Sequence, residues 1–152
     1  MRVVVQRVKH ASVTIDGNLY NKIDNGLLLL VGFCSEDDDS MLDKVCNKIA
    51  NLRIFEDENQ KMNLSALDLH LEILSISQFT LYADVKKGRR PSFDKAMKQD
   101  EARVLYNKFN ECMSKYLPCK TGIFQADMKI ELLNDGPVTI IVDSENLSLI
   151  HI

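Results

Sequence analysis

The run Leu27-Leu28-Leu29-Leu30-Val31 is the stretch that decides the fold. It follows an Asn25-Gly26 turn, and a short continuous apolar run after a turn predicts a central strand that is buried on both faces. It is also the longest apolar run of the chain, so neither a signal peptide nor a membrane span is expected. We therefore expect a soluble, cytoplasmic protein.

The segments on both sides of this run predict further strands. Toward the N-terminus, apolar residues dominate positions 3–8 and alternate with polar ones at positions 13–15, and an Asp16-Gly17 turn leads into a strand at 19–23. Toward the C-terminus, strands are predicted at 71–77, 128–133 and 138–142. The last two are separated by an Asn134-Asp-Gly-Pro137 turn.

Two segments have the period of an amphipathic helix. Asp37 to Ser40 supply candidate N-caps for a helix with one apolar stripe, formed by Leu42, Val45, Cys46, Ile49 and Leu52. The period returns from Asp94 to Tyr116, and Pro118 follows as a stop signal. With 152 residues, 45% of them hydrophobic, the chain has the length of one domain. The order of elements predicts a single α/β domain with two main helices and a largely antiparallel sheet.

The charge is unevenly distributed. A net charge of −3 argues against a protein that binds nucleic acid over its whole surface. A basic island nevertheless lies between positions 86 and 98, where only Asp94 opposes Lys86, Lys87, Arg89, Arg90, Lys95 and Lys98. Such an island predicts either a phosphate contact or a solvated loop and helix start.

The four cysteines and three histidines lack the spacing of a metal site. Cys34, Cys46, Cys112 and Cys119 form no CxxC pair, and no histidine stands at ligand distance in the sequence. Free, mostly buried thiols are predicted, with no metal and no cofactor. Nothing local indicates a Ser-His-Asp or Cys-His arrangement, although such partners can also meet in space.

The Ser77-Gln-Phe-Thr80 run lies at or just past a predicted strand end. There the backbone N–H groups of Phe79 and Thr80 can stabilise an oxyanion, and Gln78 can hold the amino or carbonyl group of a substrate. The alternative is an ordinary strand edge with Phe79 in the core. The Thr80 hydroxyl could act as a nucleophile, but this requires a nearby base. The nearest acid, Asp84, is more simply a turn residue, so we prefer backbone donors and an attacking water.

This run and Asn134-Asp-Gly-Pro-Val-Thr139 resemble the signature motifs of the D-aminoacyl-tRNA deacylases, in this order and at about this separation. The likeness extends from Met1 to about Ser144. It includes Arg2-Val-Val-Val-Gln-Arg-Val8, Asn51-Leu-Arg-Ile-Phe-Glu-Asp57, Lys61-Met-Asn-Leu64, Lys87-Gly-Arg-Arg-Pro-Ser-Phe93 and Ala126-Asp-Met128. The resemblance implies a deacylase domain at 1–144 with a partly open barrel. The tail at 145–152 has no assigned role. Gln125 stands where many members of the family have glycine.

The same resemblance implies an activity and roles for individual residues. The enzyme would hydrolyse the ester of D-aminoacyl-tRNA, and to some degree of glycyl-tRNA, at the acceptor end, without metal or cofactor. A cis Gly136-Pro137 pair would push carbonyl oxygens into the site of the partner subunit of a homodimer, which excludes L-amino acids. Arg7 would brace this loop, and Ala126 and Met128 would line the pocket. The tRNA would contact Lys86, Lys87, Arg89 and Arg90.

Other interpretations of these residues stay open at the level of sequence. Arg7 could be a surface cation, Met128 ordinary core and Ala126 filler. The whole chain could be a nucleic-acid-binding module without catalysis, a hydrolase of small esters or a structural scaffold. The small-ester hydrolase is disfavoured because the chain lacks a Gly-x-Ser-x-Gly elbow.

Overall fold

The computed structural model describes residues 1–148 and arranges them as a mixed sheet with two helices. The elements in chain order are β1 (Arg2–Ile15), β2 (Asn18–Ile23), β3 (Gly26–Gly32), α1 (Leu42–Asn51), β4 (Phe55–Glu56), β5 (Met62–Leu64), β6 (Glu72–Ser77), α2 (Gln99–Ser114), β7 (Cys119–Thr121) and β8 (Lys129–Asp143). No helix of the described part is long and apolar enough to cross a membrane.

The sheet is organised around β1 and β3. Along one edge β1 pairs antiparallel with β3 and β2, and along the other edge it pairs antiparallel with β8. The pairing continues from β3 to β6 and from β6 to β7, both in parallel. The far end of β2 approaches β7, where the Asn21 side chain donates to the Thr121 carbonyl oxygen at 2.7 Å. The sheet therefore curls toward a barrel, and the predicted single α/β domain with two helices is confirmed.

β3 is buried on both faces, as its continuous apolar run predicts. Leu27, Leu29 and Val31 face the core that the sheet shares with α1 and α2, whereas Leu28 faces a second core inside the curled sheet. The helices contribute Val45, Cys46, Ile49, Leu105, Phe109 and Met113 to the first core. Complete burial of a leucine side chain contributes about 2 kcal/mol. The β3 leucines thus hold the two layers together.

The Asn134–Pro137 segment is not a turn between two strands, so that prediction is wrong. β8 runs through it without reversing direction, and the pairing with β1 passes from Val8↔Asn134 to Gln6↔Thr139. Three extra residues of β8 therefore bulge out of the ladder. The Asn134 side chain bridges the bulge, because its Oδ1 accepts from the Val138 N–H at 2.7 Å.

The predicted start of the second helix at Asp94 is also wrong. Asp94 and Lys95 instead form a turn, in which the Ala96 N–H donates to the Phe93 carbonyl oxygen at 3.0 Å. The residues around this turn pair with the chain that leaves β3. The Met97 N–H donates to the Phe33 carbonyl oxygen, and the Ser35 N–H donates to the Lys95 carbonyl oxygen, both at 3.0 Å.

The short strand β7 and the β4–β5 hairpin were not predicted. Leu147 of the C-terminal tail packs against the helix-side core, and the remaining tail residues, 149–152, lie outside the described part.

Candidate active site

A cleft of about 390 Å³ opens at the end of β6. One wall is the end of this strand, the other is the segment that follows β7, and the first residue of α2 completes the rim. The lining residues are Ile76, Ser77, Gln78, Phe79, Gln99, Gln125, Ala126, Asp127, Met128 and Ile130. The volume lies in the range of small-molecule sites. The structure thus brings Ser77, Gln78 and Phe79 together with Ala126 and Met128, which are far apart in sequence.

Phe79 and Thr80 begin a single helical turn just beyond the strand. The Gln78 N–H still belongs to the sheet, since it donates to the Val31 carbonyl oxygen at 2.8 Å. The turn spans Phe79–Tyr82, and its own hydrogen bonds begin with Leu81, whose N–H donates to the Gln78 carbonyl oxygen. The turn therefore makes no use of the N–H groups of Phe79 and Thr80. These are the two donors that the sequence predicts for an oxyanion.

The alternative that places Phe79 in the core is wrong. Its side chain is 44% exposed, and its ring packs edge-on against Phe93 with centroids 5.0 Å apart. Phe93 follows the four cations at 86–90 in the sequence, so this contact connects the cleft wall to the basic island. The aromatic pair could not be anticipated from sequence, because the two residues belong to different loops.

The Thr80 hydroxyl is held by Gln78 rather than by a base. Gln78 Nε2 donates to Thr80 Oγ1 at 2.6 Å. Asp84 accepts the Lys86 N–H at 3.0 Å and lies 3.6 Å from the Lys95 ammonium. The hydrogen bond from the Lys86 backbone, reinforced by the positive charge of Lys95, lowers the pKa of the Asp84 carboxyl. A carboxylate with a lowered pKa is a weaker general base, so Asp84 acts as the turn residue that the sequence predicts.

Gln125 adopts a left-handed backbone conformation on the other wall of the cleft. Its φ is 68°, a value that glycine reaches without the steric cost that a side chain adds. This explains physically why a glycine suits the position. The Gln125 side chain does not point freely into solvent, because its Oε1 accepts from Arg103 Nη2 at 2.6 Å.

Arg7 is buried and bonded to the Gly-Pro loop, so its interpretation as a surface cation is wrong. The side chain is 5% exposed. Its Nε donates to the Asp135 carbonyl oxygen at 2.8 Å, and its Nη1 donates to the Ile54 carbonyl oxygen at 2.7 Å. The peptide bond that follows this Asp135–Gly136 unit, Gly136–Pro137, is cis. At Gly136 the φ is 141°, and a Cβ atom would lie 2.8 Å from Val138 Cγ2, so only glycine fits.

Within one chain the Gly-Pro loop does not reach the cleft. None of the described residues from Asn134 to Pro137 lines it, and the loop lies at the surface of the domain. The structure thus places two of the site predictions, the strand end with its pocket and the Gly-Pro loop, in separate regions of the monomer.

The first part of the basic island, Lys86 to Arg90, lies in a closed loop beside the cleft, which we call the basic loop. Asp84 and Ser92 exchange both backbone hydrogen bonds, at 2.7 and 2.9 Å, and so close its base. All four cations of the loop, Lys86, Lys87, Arg89 and Arg90, are exposed. Within the described part of the chain, none of these four side chains forms an ion pair. They are available to phosphate groups.

The cysteines are free thiols, as predicted. Burial raises the pKa of Cys46 and also that of Cys119, the latter to about 12. Such thiols are poor nucleophiles at neutral pH. Residues 1–148 contain no group of three His, Cys, Asp or Glu side chains placed to hold a metal ion.

Comparison with known sequences decides the family. Residues 4–143 match the model of the D-Tyr-tRNA(Tyr) deacylase family. The chain belongs to this family. A relative from Koribacter versatilis (strain Ellin345), named D-aminoacyl-tRNA deacylase, is 53% identical over 146 residues, which cover 95% of this chain and 98% of the relative.

Two solved structures have a similar fold over nearly the whole chain. One is the structure of a protein named c-Myc DNA Unwinding Element Binding Protein. It has a TM-score of 0.89 and 44% identity, with 94% of this chain and 98% of that chain covered. The other is described as a probable eukaryotic D-amino acid tRNA deacylase. It has a TM-score of 0.81 and 18% identity, with 93% and 97% covered; at that identity the likeness concerns the fold alone.

Replacing Arg7 tests the bracing of the Gly-Pro loop in this deacylase-family protein. We expect Arg7→Lys to lower the free energy of unfolding by about 2 kcal/mol, because one ammonium cannot reach both carbonyl oxygens and leaves a buried acceptor without a partner. Urea denaturation measures this change. Lys9→Ala is the matched control: Lys9 lies 3.6 Å from the Asp135 carboxylate but is 58% exposed, so its loss should change stability by less than about 1 kcal/mol. Equal effects of the two variants would contradict the bracing role.

Proposed function

We propose that the protein hydrolyses the ester bond of D-aminoacyl-tRNA, and to some degree that of glycyl-tRNA, to release the free amino acid and tRNA. The observation that carries this proposal is the cleft itself, in a chain of this family. In it the strand end at Ser77–Phe79 faces a loop with Ala126 and Met128, and the turn that follows leaves the N–H groups of Phe79 and Thr80 unused. We assign the activity to a deacylase domain at residues 1–144, in the cytoplasm, and give no role to the tail at 145–152.

Catalysis in this proposal depends on backbone donors. Water adds to the ester carbonyl carbon, negative charge develops on the carbonyl oxygen, and the N–H groups of Phe79 and Thr80 stabilise it. Each such donor contributes roughly 3 kcal/mol to transition-state stabilisation. The C–O bond to the terminal ribose then breaks, and the leaving ribose oxygen takes the proton that the attacking water gives up and becomes the tRNA hydroxyl. The neighbouring 2′-hydroxyl of the tRNA assists this proton transfer. Ser77 and Gln78 fix the strand end and the substrate.

Chiral selection is proposed to arise from exclusion by the Gly-Pro loop. Carbonyl oxygens at Gly136 and Pro137 would occupy the space that the side chain of an L-amino acid needs. Exclusion requires a loop that does not yield, and this loop is held by Arg7 on one side and by the Asn134 side chain on the other. A fixed obstacle discriminates more strongly than a missing contact. Glycine has no side chain to exclude, which is why some glycyl-tRNA cleavage is expected.

A homodimer would bring this loop to the cleft of a second copy. Two features of the monomer support the proposal. First, β8 pairs with β1 along one edge, and the described residues offer no partner for its other edge. Second, the strand exposes large apolar side chains, with Leu133 at 52% and Ile141 at 66%. A long edge strand of this kind is normally covered. In this arrangement each site consists of a cleft from one subunit and a loop from its partner.

The acceptor end of tRNA is proposed to lie along the basic loop. Its phosphates would contact Lys86, Lys87, Arg89 and Arg90, which project beside the cleft. The contact between Phe79 and Phe93 joins this loop to the cleft wall. A local basic surface of this kind suits an acidic protein that binds only one end of an RNA.

Parallel assays with D-tyrosyl-tRNA and L-tyrosyl-tRNA test the proposed function. We expect nanomolar protein to cleave the D-ester rapidly, to leave the L-ester at the rate of buffer alone, and to cleave glycyl-tRNA at an intermediate rate. The measurement is loss of ester-linked amino acid over time. Cleavage of both enantiomers would contradict exclusion by the Gly-Pro loop.

The Thr80→Ala variant separates the two roles of this residue. If Thr80 contributes only its N–H group, kcat on D-tyrosyl-tRNA should fall by less than about 10-fold, because alanine keeps the backbone donor. An essential nucleophile would cost roughly 10⁴-fold or more. Single-turnover rates of a folded variant, verified by circular dichroism, decide between them, and a loss of the larger size would overturn the water mechanism.

The double variant Lys87→Ala/Arg89→Ala tests the tRNA contact. We expect KM to rise for every aminoacyl-tRNA and the salt dependence of kcat/KM to flatten, since each phosphate contact adds to the salt slope. The D/L preference should not change. Lys48→Ala/Lys108→Ala, which removes the same charge from the helical layer, is the matched control. An unchanged salt dependence in the first variant would remove the basic loop from the interface.

A nucleic-acid-binding role without catalysis is the second candidate. The protein whose solved structure is 44% identical is named for binding to a DNA unwinding element, which favours this candidate. Binding of tRNA or DNA with no cleavage of either tyrosyl ester would support it. A general hydrolase of small esters would instead cleave a free amino-acid ester in the absence of tRNA.

A further inference from the structure

The end of β6 has a strand partner on only one of its two edges. β3 accompanies β6 as far as Ser77, through the pair Val31↔Ser77. On the opposite edge the ladder with β7 ends earlier, at Ser75↔Thr121. The Gln78 N–H points toward β3, so the Ser77 N–H points to the edge that β7 has left. Ser77 therefore has no neighbouring strand on the β7 side of β6.

The phenol of Tyr106 lies at the point where the ladder between β6 and β7 ends. Tyr106 lies on α2 with 3% of its surface exposed, and its hydroxyl donates to the Ser75 carbonyl oxygen at 2.8 Å. The Ser75 hydroxyl lies 3.4 Å from the same phenol oxygen. Burial raises the pKa of Tyr106, and the nearby Ser75 and Asn110 side chains and Ser77 backbone act in the opposite direction. The phenol thus binds the Ser75 carbonyl oxygen, which also accepts from the Gly122 N–H at 3.3 Å, at the last pair of the ladder between β6 and β7.

The Tyr106 ring is itself held in place from the other wall of the cleft. Its centroid lies 5.8 Å from that of Phe124. The guanidinium of Arg103, one turn before Tyr106 on α2, lies 5.1 Å from the Phe124 ring and also bonds to Gln125. The orientation of the phenol is therefore fixed relative to both walls.

We propose that Tyr106 is a positioning residue for the oxyanion donors, in which a buried phenol holds β6 at the last residue of its ladder with β7 and so supports the strand end that follows. This inference rests on the proposed function, because it assumes that the Ser77–Thr80 run acts on the ester. Tyr106 does not line the cleft, so it touches no substrate. A displacement of about 1 Å at catalytic groups can cost on the order of 100-fold in rate, so support of the strand end matters for turnover.

The Tyr106→Phe variant removes only the oxygen and is compared with Tyr116→Phe. Tyr116 follows the same helix and bonds to Asp43 Oδ1 at 2.7 Å, away from the cleft. With D-tyrosyl-tRNA we expect Tyr106→Phe to lower kcat by about 10-fold or more with KM within about two-fold, and Tyr116→Phe to keep both constants. A lower melting temperature with kcat per folded molecule unchanged would show a purely structural role and overturn the inference.

Amide hydrogen exchange provides a readout that does not depend on activity. In Tyr106→Phe the Ser77 N–H should exchange at least about 10-fold faster, whereas the Gln78 N–H, which bonds to β3, should keep its rate and serve as an internal control. Unchanged exchange at Ser77 would overturn the positioning role. An active wild-type protein with an unaffected variant would overturn this inference alone. A wild-type protein inactive on the D-ester would overturn the proposed function and, with it, the inference.

Discussion

The parallel ladder between β3 and β6 is the constraint on which the rest of the structure depends. β3 is buried on both faces and so has a fixed place between two cores. Its pairing with β6 fixes the position of Ser77, because Val31 of β3 is the partner of Ser77 in the last pair of the ladder. The Val31 carbonyl oxygen also accepts the Gln78 N–H. The cleft begins where this ladder ends. The most buried strand of the domain therefore determines the position of the donors at its surface.

The candidate site relies on backbone groups more than on reactive side chains. In the function that we propose, the donors are N–H groups at the start of a turn, and the selecting groups are carbonyl oxygens in a bulge. Backbone groups have no rotamers, so their direction is set by what holds the chain on either side. In this protein Arg7 and Asn134 hold the bulge, and Tyr106 contacts the strand end. Polar side chains in this domain thus serve mainly to orient the main chain.

Sequence patterns predicted the elements whose signal is local. A continuous apolar run defined β3, an apolar stripe defined α1, and the strand end before Gln78 followed from the β pattern of 71–77. Features set by contacts between distant segments were missed. Gly-Pro chemistry indicates a turn, yet pairing with β1 keeps β8 continuous through Asn134–Pro137. Pairing with Phe33–Ser35 delays the start of α2 in the same way. The bracing role of Arg7 came from the resemblance, because its carbonyl partners lie 47 and 128 residues away.

The continuity of β8 sets the distance between the cleft and the Gly-Pro loop of the same chain. Ile130 lies in the wall of the cleft, and the bulge begins at Asn134 on the same strand. Four residues of extended chain span about 13 Å, and pairing with β1 on both sides of the bulge prevents this distance from changing. In the dimer that we propose, each β8 would contribute a wall to its own cleft and a loop to the neighbouring one. Each β8 would then connect the two sites rigidly, and a displacement at one site would be transmitted to the other.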